Sequence, residues 1–379
     1  MKVLILTVAV GGGHTSVVKA LTSEIGDRAE VIVYDLFKKK KKERSKFVNE
    51  FYFFTCKHLM PVSNAFYHWI FNRNVKRKKA TFFHFLTRKA KPRVQSLINE
   101  YKPDVVFCAH TYCAHVMSDL RDKGLVDPSI KVFSVITDYE VSSYTEVTTN
   151  IDYIVSPCDW LDAELIRRGM KKEQILHLGI PTNSIFHEEI DKSVARERLG
   201  ILDKPTVMIM NGEVGLGDPL KIIKDLSDSE KDFQIIVVCG KNEKLKEKLD
   251  KAVESGKFQK QVYVHGYVDN VDVLMSATDL IIGKVGGLSV SEAFNKRVPM
   301  IAVKKLPWQE YDNMMHLCRE GAIDYMADEN GARALVEKCL FDTVLREKRL
   351  KNIDRIRKPN ATKDIVDMMF LSVENGKQE

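Results

Sequence analysis

Residues 284–292 read Lys-Val-Gly-Gly-Leu-Ser-Val-Ser-Glu, and a second polar cluster, Gln309, Glu310 and Asn313, follows soon after. The apolar run 280–282 ahead of them reads as a buried strand. Gly286 and Gly287 let a backbone approach a ligand closely, with Leu288 behind them, and Ser289 opens an amphipathic helix carrying Glu292. A helix start favours an anion, because its first N–H groups are free and the helix dipole is positive there. Phosphate oxygens fit that position, and Glu292, one turn in, is placed to accept from ribose hydroxyls. Gln309 both donates and accepts while Glu310 only accepts, a pairing suited to the hydroxyls of a sugar. An ordinary strand–turn–helix unit with a serine cap has the same spacing, so this stretch alone leaves both readings open.

At the other end of the chain, strand 2–7 runs into Val10-Gly11-Gly12-Gly13-His14. A dinucleotide fingerprint, Gly-x-Gly-x-x-Gly with an acid about twenty residues on, is approached: Asp35 is present, but Ser16 stands at the third glycine. His14 also suits proton removal from an alcohol, since an imidazole with an ordinary pKa of ~6.5 is a competent base near neutral pH. A structural or phosphate-contacting histidine is the plainer alternative. His110-Thr111 and Thr137-Asp138-Tyr139 end two further strands, and Asp138 could orient His14 or replace it as the base.

The elements that must position these residues alternate regularly. The first half reads as strands at 2–7, 31–34, 104–108, 131–136, 153–156 and 175–177, with helices at 15–25 and 159–168. The second half reads as strands at 206–210, 234–239, 261–265, 280–282 and 299–302, each followed by a helix. This alternation predicts an α/β fold of doubly wound parallel sheets. With 379 residues, 44% of them hydrophobic, two domains are expected, 1–180 and 181–360, with a linker near 181–192. Seven scattered cysteines without a Cys-x-x-Cys pair argue against a disulfide framework or structural zinc and for a reducing, cytoplasmic setting. No window reaches eighteen consecutive apolar residues, and the first residues lack the pattern of a signal peptide.

Lys-x-Gly-Gly-x-Ser-x-x-Glu followed by Pro307, Gln309, Glu310 and Asn313 resembles the donor half of family 28 glycosyltransferases, which include monogalactosyldiacylglycerol synthases and processive diacylglycerol glucosyltransferases. Gly-Gly-Gly-His with Ala20-Leu21 in the following helix is similar to the family's amino-terminal signature. The resemblance implies a GT-B architecture, two Rossmann-like domains facing a cleft, with helix 361–379 returning to the first. It also implies single-displacement inversion with a UDP-sugar as donor substrate and no cofactor. No metal is expected, as no Asp-x-Asp motif sits in a loop suited to Mg²⁺ against a diphosphate. Three more strand-end loops fall in the family's order. They supply Gly212 and Gly215, then Gly240 and Asn242, then His265, Gly266 and Tyr267, the last a candidate for stacking on uracil. On the acceptor side the resemblance points to His14 and Asp138 for catalysis and to Gly13, His110, Thr111 and Tyr139 for binding. The chain departs from the family pattern at Asn211, Thr111 and 140–144.

Segment 38–93 carries seventeen Lys or Arg against two acids, a net +15, whereas the whole chain is +7. Twelve aromatics are interleaved, among them Phe53, Phe54, Trp69, Phe82 and Phe83 beside Arg77 and Lys78. Such a mixture fits an anionic membrane surface, where basic residues contribute around 1 kcal/mol each and aromatic rings settle among headgroups. It also fits single-stranded nucleic acid or a solvated helical face. The expectation is a peripheral enzyme on the inner face of the cell membrane, moving a hexose to a lipid hydroxyl, with no nucleic-acid partner. Alternatives are a lipid-linked N-acetylglucosamine transferase, a UDP-N-acetylglucosamine 2-epimerase, a nucleic-acid-binding protein and a dehydrogenase.

Overall fold

The structure is a computed structural model that describes residues 1–8, 12–37, 82–141, 148–210, 218–303, 306 and 308–375. It divides into two compact units, Met1–Ser184 with Asn360–Glu379, and Ile185–Pro359.

In the first unit, β1 (Lys2–Thr7), β2 (Glu30–Asp35), β3 (Val105–Cys108), β4 (Lys131–Val135), β5 (Tyr153–Val155) and β6 (Ile175–Leu176) form one parallel sheet in the order β2-β1-β3-β4-β5-β6. Val3 to Leu6 and all of β3 are buried on both faces, as a parallel strand covered by helices must be. The covering helices include α1 (Gly12–Ile25), α2 (Phe82–Tyr101), α3 (Thr111–Asp122) and α4 (Asp162–Arg167). Two expected boundaries are corrected. Helix α1 begins at Gly12 rather than 15, and the single helix expected over 159–168 is a 3-10 turn, Asp159–Leu161, leading into α4.

Part of the basic segment proves structural. Its last residues belong to α2, where Thr87 and Ala90 are buried and Lys91, only 8% exposed, forms an ion pair with Asp119 of α3. The Arg93 guanidinium lies 4.6 Å from the centre of the Tyr34 ring. These two cations of the +15 are therefore engaged within the unit, because an enclosed ammonium needs a counter-ion to offset lost hydration.

The second unit begins with α5 (Lys192–Leu199). It continues through β7 (Thr206–Met210), α6 (Pro219–Ser227), β8 (Gln234–Val238), α7 (Glu243–Glu254), β9 (Val262–His265), α8 (Val271–Ser276), β10 (Leu280–Gly283) and α9 (Gly287–Asn295). Then come β11 (Met300–Ala302), α10 (Trp308–Arg319), β12 (Ile323–Tyr325), α11 (Ala332–Phe341) and α12 (Thr343–Ile356). The sheet order is β12-β11-β10-β7-β8-β9, all parallel. Asp279, just before β10, gathers Lys192 and Arg196 of α5 at 2.6 and 2.7 Å, Arg346 of α12 at 3.1 Å and the Thr206 N–H at 2.9 Å. One carboxylate thus fixes the amino-terminal edge of the sheet to two helices.

The last helix, α13 (Ala361–Asn375), belongs to the first unit, where it packs on α1 and β4. Thr362 exchanges two hydrogen bonds with the Thr182 backbone, and Arg28 of the turn after α1 binds Asp367 at 2.9 Å.

Candidate active site

Winding direction reverses between β1 and β3 in the first sheet and between β7 and β10 in the second. Ligands of doubly wound sheets bind beyond the carboxyl ends of the strands at such reversals, since the diverging loops leave a crevice there. The strongest candidates of both halves lie at these two places.

In the first unit, α1 follows β1 and presents His14 in its first turn, while β3 ends in Ala109 and His110. The His14 Nδ1–H donates to the Ala109 carbonyl at 2.8 Å. In the neutral ring Nε2 then carries the lone pair. Burial lowers the His14 pKa from 6.5, opposed by the Ala109 hydrogen bond and the charge of Asp138, so the neutral ring is favoured near pH 7. His110 has the opposite tautomer. It caps α3, its Nδ1 accepting the Tyr112 N–H at 2.9 Å, and burial together with neighbouring His14 brings its pKa down to about 3. The two rings are 4.4 Å apart. Thr111 is the first residue of α3, and open space surrounds the Cα of Gly13 on its side-chain side. Tyr139 departs from the acceptor role expected of it: it is 3% exposed and stacks on Trp160, a packing position. Asp35 accepts the Phe37 N–H at 2.9 Å, a turn-forming bond.

In the second unit, β10 pairs with β7 to its last residue, Gly283 opposite Met210. Gly283 was not singled out in the sequence, yet any Cβ there would collide with the Met210 carbonyl oxygen. The helix start is corrected too. Gly286 in extended backbone is the cap and α9 begins at Gly287, so Ser289 is the third helical residue and caps nothing. Consequently the N–H groups of Gly287, Leu288 and Ser289 all belong to the open first turn, a wider anion seat than a serine-capped start provides. Glu292, one turn further, has no side-chain partner among the described residues, and burial pushes its pKa up to about 8.

Helix α10 braces this loop from beside it. Glu310 in its first turn is ion-paired with Lys284 at 2.5 Å, and Asn313, fully buried, donates from Nδ2 to the Val285 carbonyl at 3.1 Å. Asn313 therefore shapes the loop and is enclosed where a ligand contact was expected. Asn242 is likewise a helix cap, its Oδ1 accepting the Leu245 N–H at 3.1 Å. Gly240 turns the chain there at φ +56°, a left-handed conformation that favours glycine. At the end of β9, the buried His265 Nε2 has no hydrogen-bond partner among the described residues, and burial followed by the charge of Lys246 lowers the ring's pKa. Beyond Gly266, Tyr267 is 71% exposed with the Lys241 ammonium 5.7 Å from its ring centre. Gly212, Gly215, Phe53, Phe54, Trp69, Arg77 and Lys78 lie outside the described residues, as do the side chains of Gln309, Phe82 and Phe83.

A match to the monogalactosyldiacylglycerol (MGDG) synthase family covers residues 14–182, and one to the glycosyltransferase family 28 C-terminal domain covers 220–369. The chain belongs to the family 28 glycosyltransferases. This family 28 enzyme is 29% identical over 372 residues to a processive diacylglycerol beta-glucosyltransferase of Bacillus mycoides, covering 97% of this chain and 93% of that one. Acinetobacter baumannii MurG has the same fold at 16% identity, with a TM-score of 0.67 and 97% and 99% of the two chains covered. HepE from Anabaena, solved with UDP, aligns at 14% identity and a TM-score of 0.58, with the same coverage. The fold is GT-B.

Proposed function

We propose that this glycosyltransferase moves a glucosyl group from UDP-glucose to the free hydroxyl of diacylglycerol or of a glycosyl-diacylglycerol, with inversion at the anomeric carbon. The observation that carries the reading is His14 at the β1/β3 reversal: its Nδ1–H is held by the Ala109 carbonyl, which leaves the lone pair on Nε2, and burial favours the neutral ring. The diacylglycerol beta-glucosyltransferase relatives support the choice of sugar and lipid.

As the lipid oxygen bonds to the anomeric carbon, the bond from that carbon to UDP breaks and the hydroxyl proton passes to His14 Nε2. Asp138, whose charge is felt at His14, stabilises the imidazolium that results. The departing diphosphate gains negative charge as the bond breaks. It meets the open first turn of α9, whose N–H groups are fixed before the reaction and need no reorganisation. Glu292 accepts from the ribose hydroxyls and Tyr267 stacks on the uracil. This arrangement needs no divalent cation to hold the donor.

No described helix is long and apolar enough to cross a membrane. Segment 38–81 with its basic and aromatic residues serves as the peripheral attachment to the inner face of an anionic membrane, where the acceptor resides.

Incubation with radiolabelled UDP-glucose, UDP-galactose or UDP-N-acetylglucosamine and diacylglycerol, followed by lipid separation, tests the reaction. Glucolipid formation is expected, and no labelled lipid from any donor would refute it. Sedimentation with vesicles tests the attachment: equal binding to neutral and anionic liposomes would remove it.

A further inference from the structure

We propose that the rings of Phe37 and Tyr112 form a wedge beside His14 that seats the first methylenes of the acceptor's fatty chains, so that the enzyme selects a lipid over a small alcohol. The inference deepens the acceptor reading above and rests on it.

The sheet order β2-β1-β3 puts β1 between the two strands that lead to these rings. Phe37 follows β2, and Tyr112 is the second residue of α3, after β3. Their ring centres are 5.2 Å apart, so the pair bridges the carboxyl end of β1, the strand that leads toward α1 and His14. Backbone bonds hold both in place. The Leu36 N–H donates at 3.0 Å to the carbonyl of Thr7, the last residue of β1, and Asp35 accepts the Phe37 N–H at 2.9 Å. On the other side the Tyr112 N–H donates to His110, whose ring is 4.4 Å from that of His14. A continuous run of contacts therefore joins the wedge to the proposed base.

Phe37 is 37% exposed and Tyr112 is half-buried, so apolar ring surface is left for a ligand to cover. The rings are inclined at 53°, and two faces meeting at that angle enclose a narrow chain better than a flat sugar ring. Diacylglycerol supplies such a chain at the right place. The carbon next to the one bearing its terminal hydroxyl carries an ester, so a fatty chain begins within a few bonds of the oxygen that gives its proton to His14. Each methylene covered strengthens binding about fourfold. Water and glycerol have no chain to cover, which reserves this gain for lipid and brings the lipid's hydroxyl, rather than theirs, to the base.

Transfer from UDP-glucose to a series of diacylglycerols, diacetyl to dioctanoyl, in solution without vesicles tests this with wild type, Phe37→Ala and Phe37→Leu. Wild-type KM should fall as the chains lengthen. Phe37→Ala should raise KM for dioctanoylglycerol about tenfold, the worth of roughly two methylenes, and should affect diacetylglycerol less. Phe37→Leu, still apolar, should recover most of the loss. An unchanged KM series, a loss of equal size with every acceptor, or a change in kcat alone would overturn the wedge. Weaker sedimentation of Phe37→Ala with anionic vesicles, at unchanged KM in solution, would overturn it too and assign Phe37 to membrane attachment. Tyr112→Leu should act in the same direction, and if it fails to fold Phe37→Ala decides alone. Absence of transfer to any diacylglycerol by wild type is a separate failure, of the reaction proposed above, and is seen before any variant is made.

Discussion

The imidazoles of His14 and His110 lie 4.4 Å apart, yet their hydrogen bonds give them opposite tautomers. His14 donates through Nδ1 to the Ala109 carbonyl, and His110 accepts through Nδ1 from the Tyr112 N–H. One ring is thereby left with a free basic nitrogen while its neighbour is tied to the start of a helix. Two adjacent cations in a buried place would repel each other, so protonating either ring opposes protonating the other.

On the proposed mechanism this asymmetry makes His14 the base. His14→Ala is expected to lower kcat by about 10²- to 10⁴-fold, the usual worth of a positioned general base, with UDP affinity unchanged within about twofold. Steady-state kinetics and calorimetry on the same preparation check both parts, and near-normal kcat would rule His14 out.

Asp138 should tune that base. Its charge raises a His14 pKa that burial lowers, so Asp138→Asn removes a raising influence. The acidic limb of the kcat–pH profile, expected below 6.5 in wild type because burial lowers the His14 pKa, should move to still lower pH, with a reduced plateau. A limb that stays in place or moves up contradicts the coupling.

His110 should make folding pH-dependent. Its folded pKa of about 3 is far below the unfolded value near 6.5, so the unfolded chain binds the extra proton first as pH falls. Its contribution to stability is complete above 6.5 and is lost as pH falls toward 3. Urea unfolding at a series of pH values should show this decline, and His110→Asn, which retains a capping side chain, should flatten it.

Glu292 should make nucleotide binding pH-dependent in the same direction. Its empty-site pKa of about 8 means that its proton must leave before the carboxylate can accept both ribose hydroxyls. UDP affinity is expected to climb between pH 6 and 8 and level off above, with Glu292→Gln weaker and flat across that range. A flat wild-type profile would show that the ionised form is not the one that binds.

Gly283→Ala tests the closeness of β10 and β7. The added methyl meets the Met210 carbonyl, and backbone must shift to admit it. A loss of about 1–3 kcal/mol is expected in denaturant unfolding, along with weaker UDP binding, because the strand end carries the loop to α9. Wild-type stability would show that the pair can separate at little cost.

The strands were readable in the sequence because runs such as 4–6 and 280–282 are apolar on both faces, and a parallel sheet requires that. The glycine turn before α9 was readable as well, but its first helical residue was not. Serine is the commoner cap, yet the extended Gly286 takes that place. Asn242 and Asn313 looked like ligand contacts because an amide that caps a helix or braces a loop is the same residue type as one that binds a sugar. His14 shows the limit most clearly: its tautomer is set by a carbonyl ninety-five positions away, which only the β1–β3 pairing brings near. Lys91 and Asp119 were hidden for the same reason, being neighbours through α2 and α3 and not along the chain.

Helix α13 makes the first unit discontinuous along the chain. Its Thr362, Asp367 and Phe370 close a unit whose first strand was synthesised some 360 residues earlier, and the whole of the other unit is translated in between. The half bearing His14 therefore cannot gain this helix until the whole of the other unit has been made.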